Sequence, residues 1–247
     1  TELDVTRDHS ERMLRGFGCE LVSEGLVATF PAKTKKLCAQ SIEVPSDISS
    51  AAFFLVAASI SEGSDITLKH VGMNPTRTGV IDILKLMGAN IEFSNERVVG
   101  GEPVADLRVR YAPLKGIQIP EALVSLAIDE FPVLFIAATS AKGETILTGA
   151  EELRVKESDR IQVMADGLAQ LGVRTEVRHD GIAIKQSKIQ GGVIHSHGDH
   201  RIAMSFAVAS LIAEGDITIQ DCANVATSFP NFVALAQQVG MNIEVDA

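Results

Sequence analysis

No apolar stretch in this sequence reaches the roughly 18 residues that a membrane-crossing helix requires. The longest, around residues 51–60, is interrupted by Ser59 and Ser61. A mean hydropathy of +0.19 therefore reads as helices and strands buried on more than one side. Cations are scarce, with 22 Lys and Arg against 32 Asp and Glu and a formal net charge of −10. That balance argues against nonspecific binding to nucleic acid or to an anionic membrane. An anionic small substrate remains compatible only if Lys and Arg gather locally. The cysteines are few and far apart (Cys19, Cys38, Cys222), without a CxxC pair. This excludes a disulfide framework and fits a reducing cytoplasm. The first seven residues do not resemble a secretory leader. An initiator Met is also missing, which reads as a fragment or a processed chain. No Walker loop, GxGxxG or GxSxG occurs.

What the sequence does contain is repetition, a feature that governs the fold when present. A helical apolar stretch, a Gly and a short strand carrying a Glu recur four times, as MLRGFGCELV, ILKLMGANIEF, GLAQLGVRTEV and LAQQVGMNIEV. The shared glycines are Gly18, Gly88, Gly172 and Gly240. Between them an apolar helix, a Gly turn and a strand recur three times, around Gly63, Gly143 and Gly215. Gly88 and Gly172 suit left-handed helix C-caps. The second helix of each unit is nearly apolar all round and is expected inside the domain. Each unit then reads helix, strands, buried helix, strand, with three buried helices at a shared centre. Gly100-Gly101 and Gly191-Gly192 are expected in loops between strands. The Pro and turn cluster Val44-Pro45-Ser46-Asp47 is the expected domain boundary.

Three segments could carry chemistry. In residues 153–160 (LRVKESDR), at the expected start of a long helix, two cations and two carboxylates crowd the five residues from Lys156 to Arg160. If that stretch is helical, Lys156 and Arg160 share a face, and Glu157 adjoins Arg160. A helix N-terminus also favours an anion such as phosphate; a solvated charged turn is the competing reading. The second segment is His195-Ser196-His197-Gly198-Asp199-His200-Arg201. Asp199 suits an N-cap, and an Arg201 opposing the helix dipole is easier to explain if it meets an anion. A metal site on His195 and His197 is a rival, but no Cys or second carboxylate completes its ligand set. The third is residues 127–132 (AIDEFP), where Asp129 matches Asp47 and Asp199 in the repeat. It suits a helix cap, or acid–base work if the helix starts border a cleft. Two weaker segments hold Arg7 and Arg77 near helix starts, for which capping and solvation suffice.

Taken together, these segments resemble the EPSP synthase family of enolpyruvyl transferases. LRVKESDR (residues 153–160) and GDHRIAMSF (198–206) look like its two signatures. AIDEFP, TRDHSERML, MNPTRTG and ATSFPNF agree with a bacterial branch, and the similarity runs from end to end. The resemblance implies an α/β fold of repeated βαβαββ-type units forming an inside-out, barrel-like domain. It implies transfer of the enolpyruvyl group of phosphoenolpyruvate to the 5-hydroxyl of shikimate 3-phosphate, with release of phosphate, as in the shikimate pathway to aromatic amino acids. Asp129 and Glu157 would be the acid–base carboxylates, with Lys156 assisting at the target hydroxyl. Arg160 and Arg201 would clamp phosphoenolpyruvate, His200 would line the same site, and Arg7 would reach the shikimate 3-phosphate side. No metal and no organic cofactor are implied.

By the same resemblance, residues 1–45 would be the tail of a first domain on the shikimate 3-phosphate side. Residues 46–247 would form the second, catalytic domain. The partner would be the N-terminal part of the same enzyme, the protein a cytoplasmic monomer, and the chain a portion inactive alone. Two departures stand out: Glu152 replaces an Asn found in other branches, and Thr227 replaces a frequent Lys. A UDP-N-acetylglucosamine-type transferase and a non-catalytic repeat scaffold are the alternatives.

Overall fold

The computed structural model describes residues 6–30 and 36–246. The chain opens with α1 (His9–Gly16) and the small antiparallel hairpin β1 (Val22–Glu24) and β2 (Val27–Thr29). Next come α2 (Ile48–Ile60), β3 (Asp65–Gly72), α3 (Gly79–Leu86), β4 (Asn90–Val99) and β5 (Glu102–Arg110). They are followed by α4 (Phe131–Ser140), β6 (Glu144–Leu147), α5 (Arg160–Gln170), β7 (Thr175–Arg178) and β8 (Gly181–Lys185). The last elements are β9 (Ile189–His195), α6 (His200–Ala209), β10 (Ala213–Gln220), α7 (Asn224–Ser228) and α8 (Phe232–Gln238).

The composition of α2, α4 and α6 decides where they lie. In α2 every residue but Ser50 is buried, and in α4 every residue but Ser140. A helix without a polar face has no side to give to water, so it must be enclosed. The three pack on one another at the centre, as the repeat leads one to expect. Short sheets surround them. β3-β5-β4 and β6-β8-β7 are antiparallel, and β9 pairs in parallel with β10. Phe232, at the start of α8, and Phe229 just before it pack edge-on or tilted against Phe53 and Phe54 of α2, with ring centroids 5.9–6.3 Å apart. The ATSFPNF motif thus carries packing residues. Among the described residues no helix is long and apolar enough to cross a membrane.

Turn chemistry holds at the repeat junctions. Gly88 and Gly172 follow α3 and α5 at φ +96° and +82°, a left-handed conformation that a Cβ would strain. Three details differ from expectation. Gly191-Gly192 lies within β9, where a Cβ on Gly191 would meet the Asp216 carbonyl oxygen at 2.8 Å. These glycines serve close strand approach. The last repeat copy forms no strand between residues 241 and 246. Residues 156–159 are not helical: Lys156 is extended at φ −80°, ψ −155°, and α5 begins only at Arg160.

The N-terminal part rests on the β3–α3 connection and the start of β5. Asp8 accepts a hydrogen bond from Asn74 (2.7 Å), and His9 Nδ1 lies 2.7 Å from a Glu102 carboxylate oxygen.

Candidate active site

The site assembles where α4, α5 and α6 begin. Asp159 caps α5 by accepting from the Gln162 N–H at 3.0 Å, so the helix cannot extend back over Lys156 and Glu157. Arg154 pins this non-helical stretch. Its guanidinium donates to the Asp159 carboxylate (2.7 Å) and to the carbonyls of Arg178 (2.5 Å) and His179 (2.6 Å). Lys156 and Arg160 therefore do not share a helical face as their spacing suggested. Tertiary contacts bring them together instead.

Asp199 caps α6 by accepting from the Arg201 N–H at 2.9 Å. Its other oxygen accepts from Arg160 Nε and Ser158 Oγ, both at 2.9 Å. Asp199 is fully buried and Arg160 is 1% exposed, so each compensates the other's desolvation. Burial tends to raise the Asp199 carboxyl, but the Arg160 hydrogen bond and charge outweigh it and hold it below the ordinary range. Arg160 also donates to Glu157 at 2.5 Å.

Asp129 does not cap α4, contrary to the reading from its repeat position. The N-cap is Glu130, and its side chain makes no capping bond. The Asp129 carboxylate faces four cations. Arg7 hydrogen-bonds it directly. Lys156 Nζ and Arg160 Nη1 both stand 3.7 Å away, and Arg201 Nη2 stands 4.0 Å away. Burial pushes the carboxyl up, but the charges of Arg201, Arg7 and Lys156 prevail and lower it. Lys156, Arg160 and Arg201 lie at ion-pair distance from it but too far for a hydrogen bond. Lys156 donates instead to Glu152, and Arg160 Nη1 is buried without a hydrogen-bond partner among the described residues.

His200 is the first residue of α6, half-buried beside Arg201. Burial and then the Arg201 charge lower its pKa and favour the neutral ring. Glu152 pairs with Lys156, so the first departure from the family pattern has a partner. Thr227 lies exposed in α7. His195 and His197 have rings 4.6 Å apart. No group of three metal-ligating side chains forms around them among the described residues.

Asp129, Lys156, Glu157, Arg160 and Arg201 thus occupy one neighbourhood, with Arg7 at its edge. Three participants were not singled out from the sequence: Arg154, Ser158 and Glu130. Glu130 could have been suspected, because a second carboxylate abuts a helix that has no polar face to receive it.

The family model for EPSP synthase (3-phosphoshikimate 1-carboxyvinyltransferase) matches residues 1–235. A curated protein named 3-phosphoshikimate 1-carboxyvinyltransferase from Acidithiobacillus ferrooxidans is 63% identical over 245 residues, covering 99% of this chain and 56% of its own. One of the same name from Alkalilimnicola ehrlichii is 66% identical over 242 residues, covering 98% and 54%. The chain spans about half the length of the curated relatives it matches. A solved EPSP synthase from Acinetobacter baumannii superposes with a TM-score of 0.96 at 55% identity, over 100% of this chain and 57% of that one. The enolpyruvyl transferase NikO from Streptomyces tendae shares the fold alone, with a TM-score of 0.70 at 16% identity. With the α/β fold, the repeat and both signature segments in agreement, the chain belongs to the EPSP synthase family.

Proposed function

We propose that this chain supplies the phosphoenolpyruvate-binding and acid–base wall of an enzyme making EPSP from phosphoenolpyruvate and shikimate 3-phosphate. One observation carries the reading: Lys156, Arg160 and Arg201 gather within 3.7–4.0 Å of a single carboxylate without hydrogen-bonding it, and Arg160 Nη1 has no hydrogen-bond partner among the described residues. Both substrates are multiply anionic, and a protein of net charge −10 needs such a local concentration of cations to hold them. Arg160 and Arg201 present planar forks suited to carboxylate and phosphate. Asp129 and Glu157 stand among these cations as the acid–base pair.

In the reaction the methylene carbon of phosphoenolpyruvate gains a proton, and the 5-hydroxyl oxygen gives its proton to the acid–base pair as it bonds to the adjacent carbon. The resulting tetrahedral intermediate then loses a proton from the new methyl group and expels phosphate. Lys156 attends the hydroxyl and the intermediate, and neutral His200 lines the pocket. Arg7 reaches toward the 3-phosphate side. Residues 1–45 go with the shikimate 3-phosphate side and residues 46–247 with the catalytic side. An opposing wall comes from the additional length that the relatives possess. The enzyme works as a monomer in the cytoplasm, in keeping with its sparse cysteines.

Phosphate release by the full-length protein carrying this chain tests the proposal. Shikimate 3-phosphate is expected to support turnover and UDP-N-acetylglucosamine not to. Glu157→Gln is expected to lower turnover by about 10²–10⁴-fold with an unchanged melting transition. Undiminished turnover in that variant would favour a scaffold.

A further inference from the structure

Outside the groups assigned above, Glu130 is a carboxyl that has been taken out of water. It is 2% exposed and sits at the junction where α2 and α4 begin and Arg201 of α6 reaches across. A buried carboxyl is costly unless neighbours compensate it, and three side chains from three other segments converge on this one. Ser49 of α2 donates its hydroxyl proton to a Glu130 carboxylate oxygen, and Arg77 in turn donates to the Ser49 oxygen. Arg201 Nη1 stands 3.8 Å from the same Glu130 oxygen while donating to the Asp129 carbonyl at 3.0 Å. The guanidinium of Arg201 is thereby held between the Glu130 side chain and the Asp129 backbone, leaving Nη2 turned toward the Asp129 carboxylate.

We propose that Glu130 is a positioning residue that fixes the angle of the Arg201 guanidinium, through a buried chain running Arg77–Ser49–Glu130–Arg201. The proposal rests on the reading of Arg201 as an anion-binding group. Glu130 is 2% exposed, so its part is to act through Arg201. A free arginine side chain would have to surrender its rotational freedom on meeting an anion. One held by a buried carboxyl has already done so, and the gain appears in affinity. Burial raises the Glu130 carboxyl above its ordinary range, against the Ser49 hydrogen bond and the charges of Arg201 and Arg77, while the Asp129 charge adds to the rise. Gln at this position preserves the shape and imitates the protonated acid.

The experiment is Glu130→Gln in the full-length protein, read by steady-state kinetics across pH. KM for phosphoenolpyruvate is expected to rise by about tenfold, the scale of one hydrogen bond to a charged group. KM for shikimate 3-phosphate and kcat should change by less than about threefold. The ratio of variant to wild-type KM should shrink toward one as pH falls, because the wild-type carboxyl then protonates and comes to resemble Gln. Ser49→Ala should move the same KM in the same direction by a smaller factor, and it decides the matter if Glu130→Gln does not fold. A loss confined to kcat, an unchanged KM for phosphoenolpyruvate, or a pH-independent ratio would overturn the proposal. A second readout does not require turnover: arginine side-chain NMR of this chain should report faster rotation of the Arg201 guanidinium in Glu130→Gln. If the wild-type protein proves inactive, the functional reading fails, and the NMR comparison still decides whether Glu130 orients Arg201.

Discussion

Helices α2 and α4 begin at corresponding points of the repeat, each just after an aspartate, and the two aspartates do different work. Asp47 immediately precedes α2, and its carboxylate accepts from the Ser50 N–H and hydroxyl, both at 2.9 Å. That is an ordinary cap, and its side chain is half exposed. At α4 the helix starts one residue later relative to the aspartate. Glu130 occupies the cap position without capping, and Asp129 is turned outward among Arg7, Lys156, Arg160 and Arg201. A one-residue change of register converts a carboxylate that satisfies the backbone into one that organises cations. Pro132 makes this tolerable, since a proline in the first turn leaves fewer orphan N–H groups to cap.

The sharpest way to break this comparison is to neutralise each aspartate in turn. Asp129→Asn in the full-length protein is expected to lower turnover by about 10²–10⁴-fold, within the range of a lost acid–base group. Asp47→Asn, which retains a competent cap, should alter turnover by less than about twofold. Phosphate-release kinetics on matched, folded samples decide it. Equal losses at the two positions would mean that the contrast between the two helix starts has no functional content.

Asp199 occupies the third equivalent position and combines both behaviours, capping α6 while neutralising a buried Arg160. Asp199→Ala leaves that guanidinium without its main partner, and breaking a buried pair from one side costs about 3–5 kcal/mol. Denaturant melts of this chain should show the loss as a lower midpoint. The pH dependence has a definite sign. The folded-state pKa of Asp199 is depressed, so its contribution is present above the unfolded value and is lost as pH falls through the folded one. The gap between wild type and variant should therefore be full at neutral pH and close in acid. A gap that widened on acidification would contradict the assignment.

How much of this was legible in the sequence can be judged at the same three helix starts. The capping roles of Asp47 and Asp199 follow from local chemistry, since an aspartate before an apolar helix has one obvious acceptor function. The three buried helices were legible because α2 and α4 have scarcely a polar position to expose. The register at Asp129 was not legible, because it depends on which of two adjacent carboxyls finds Ser49 and Arg201 across the molecule. Nor was the extended backbone at Lys156, which is fixed by Arg154 reaching the β7–β8 turn some 25 residues away. The glycines of β9 misled for a similar reason: a Gly pair reads as a loop until a neighbouring strand is seen to need the space. Local pattern set the elements, while contacts distant in sequence set the clustered charged side chains.

The smallest expected effect tests the plain side of the comparison. Asp47→Ala removes a cap acceptor, a change that typically costs about 1 kcal/mol. In a chain of this size that corresponds to a fall of about 2–4 °C in Tm. Arg77 lies 3.8 Å from the Asp47 carboxylate, but that side chain is half exposed and the pair adds little. Asp47→Asn keeps the capping oxygen and discards only the charge, so it should restore most of the lost stability. If Asp47→Ala instead left Tm untouched and raised KM for phosphoenolpyruvate, Asp47 would be acting through Arg77 on the buried chain to Arg201. The start of α2 would then belong to the site, and the boundary between cap and catalyst would have to be moved.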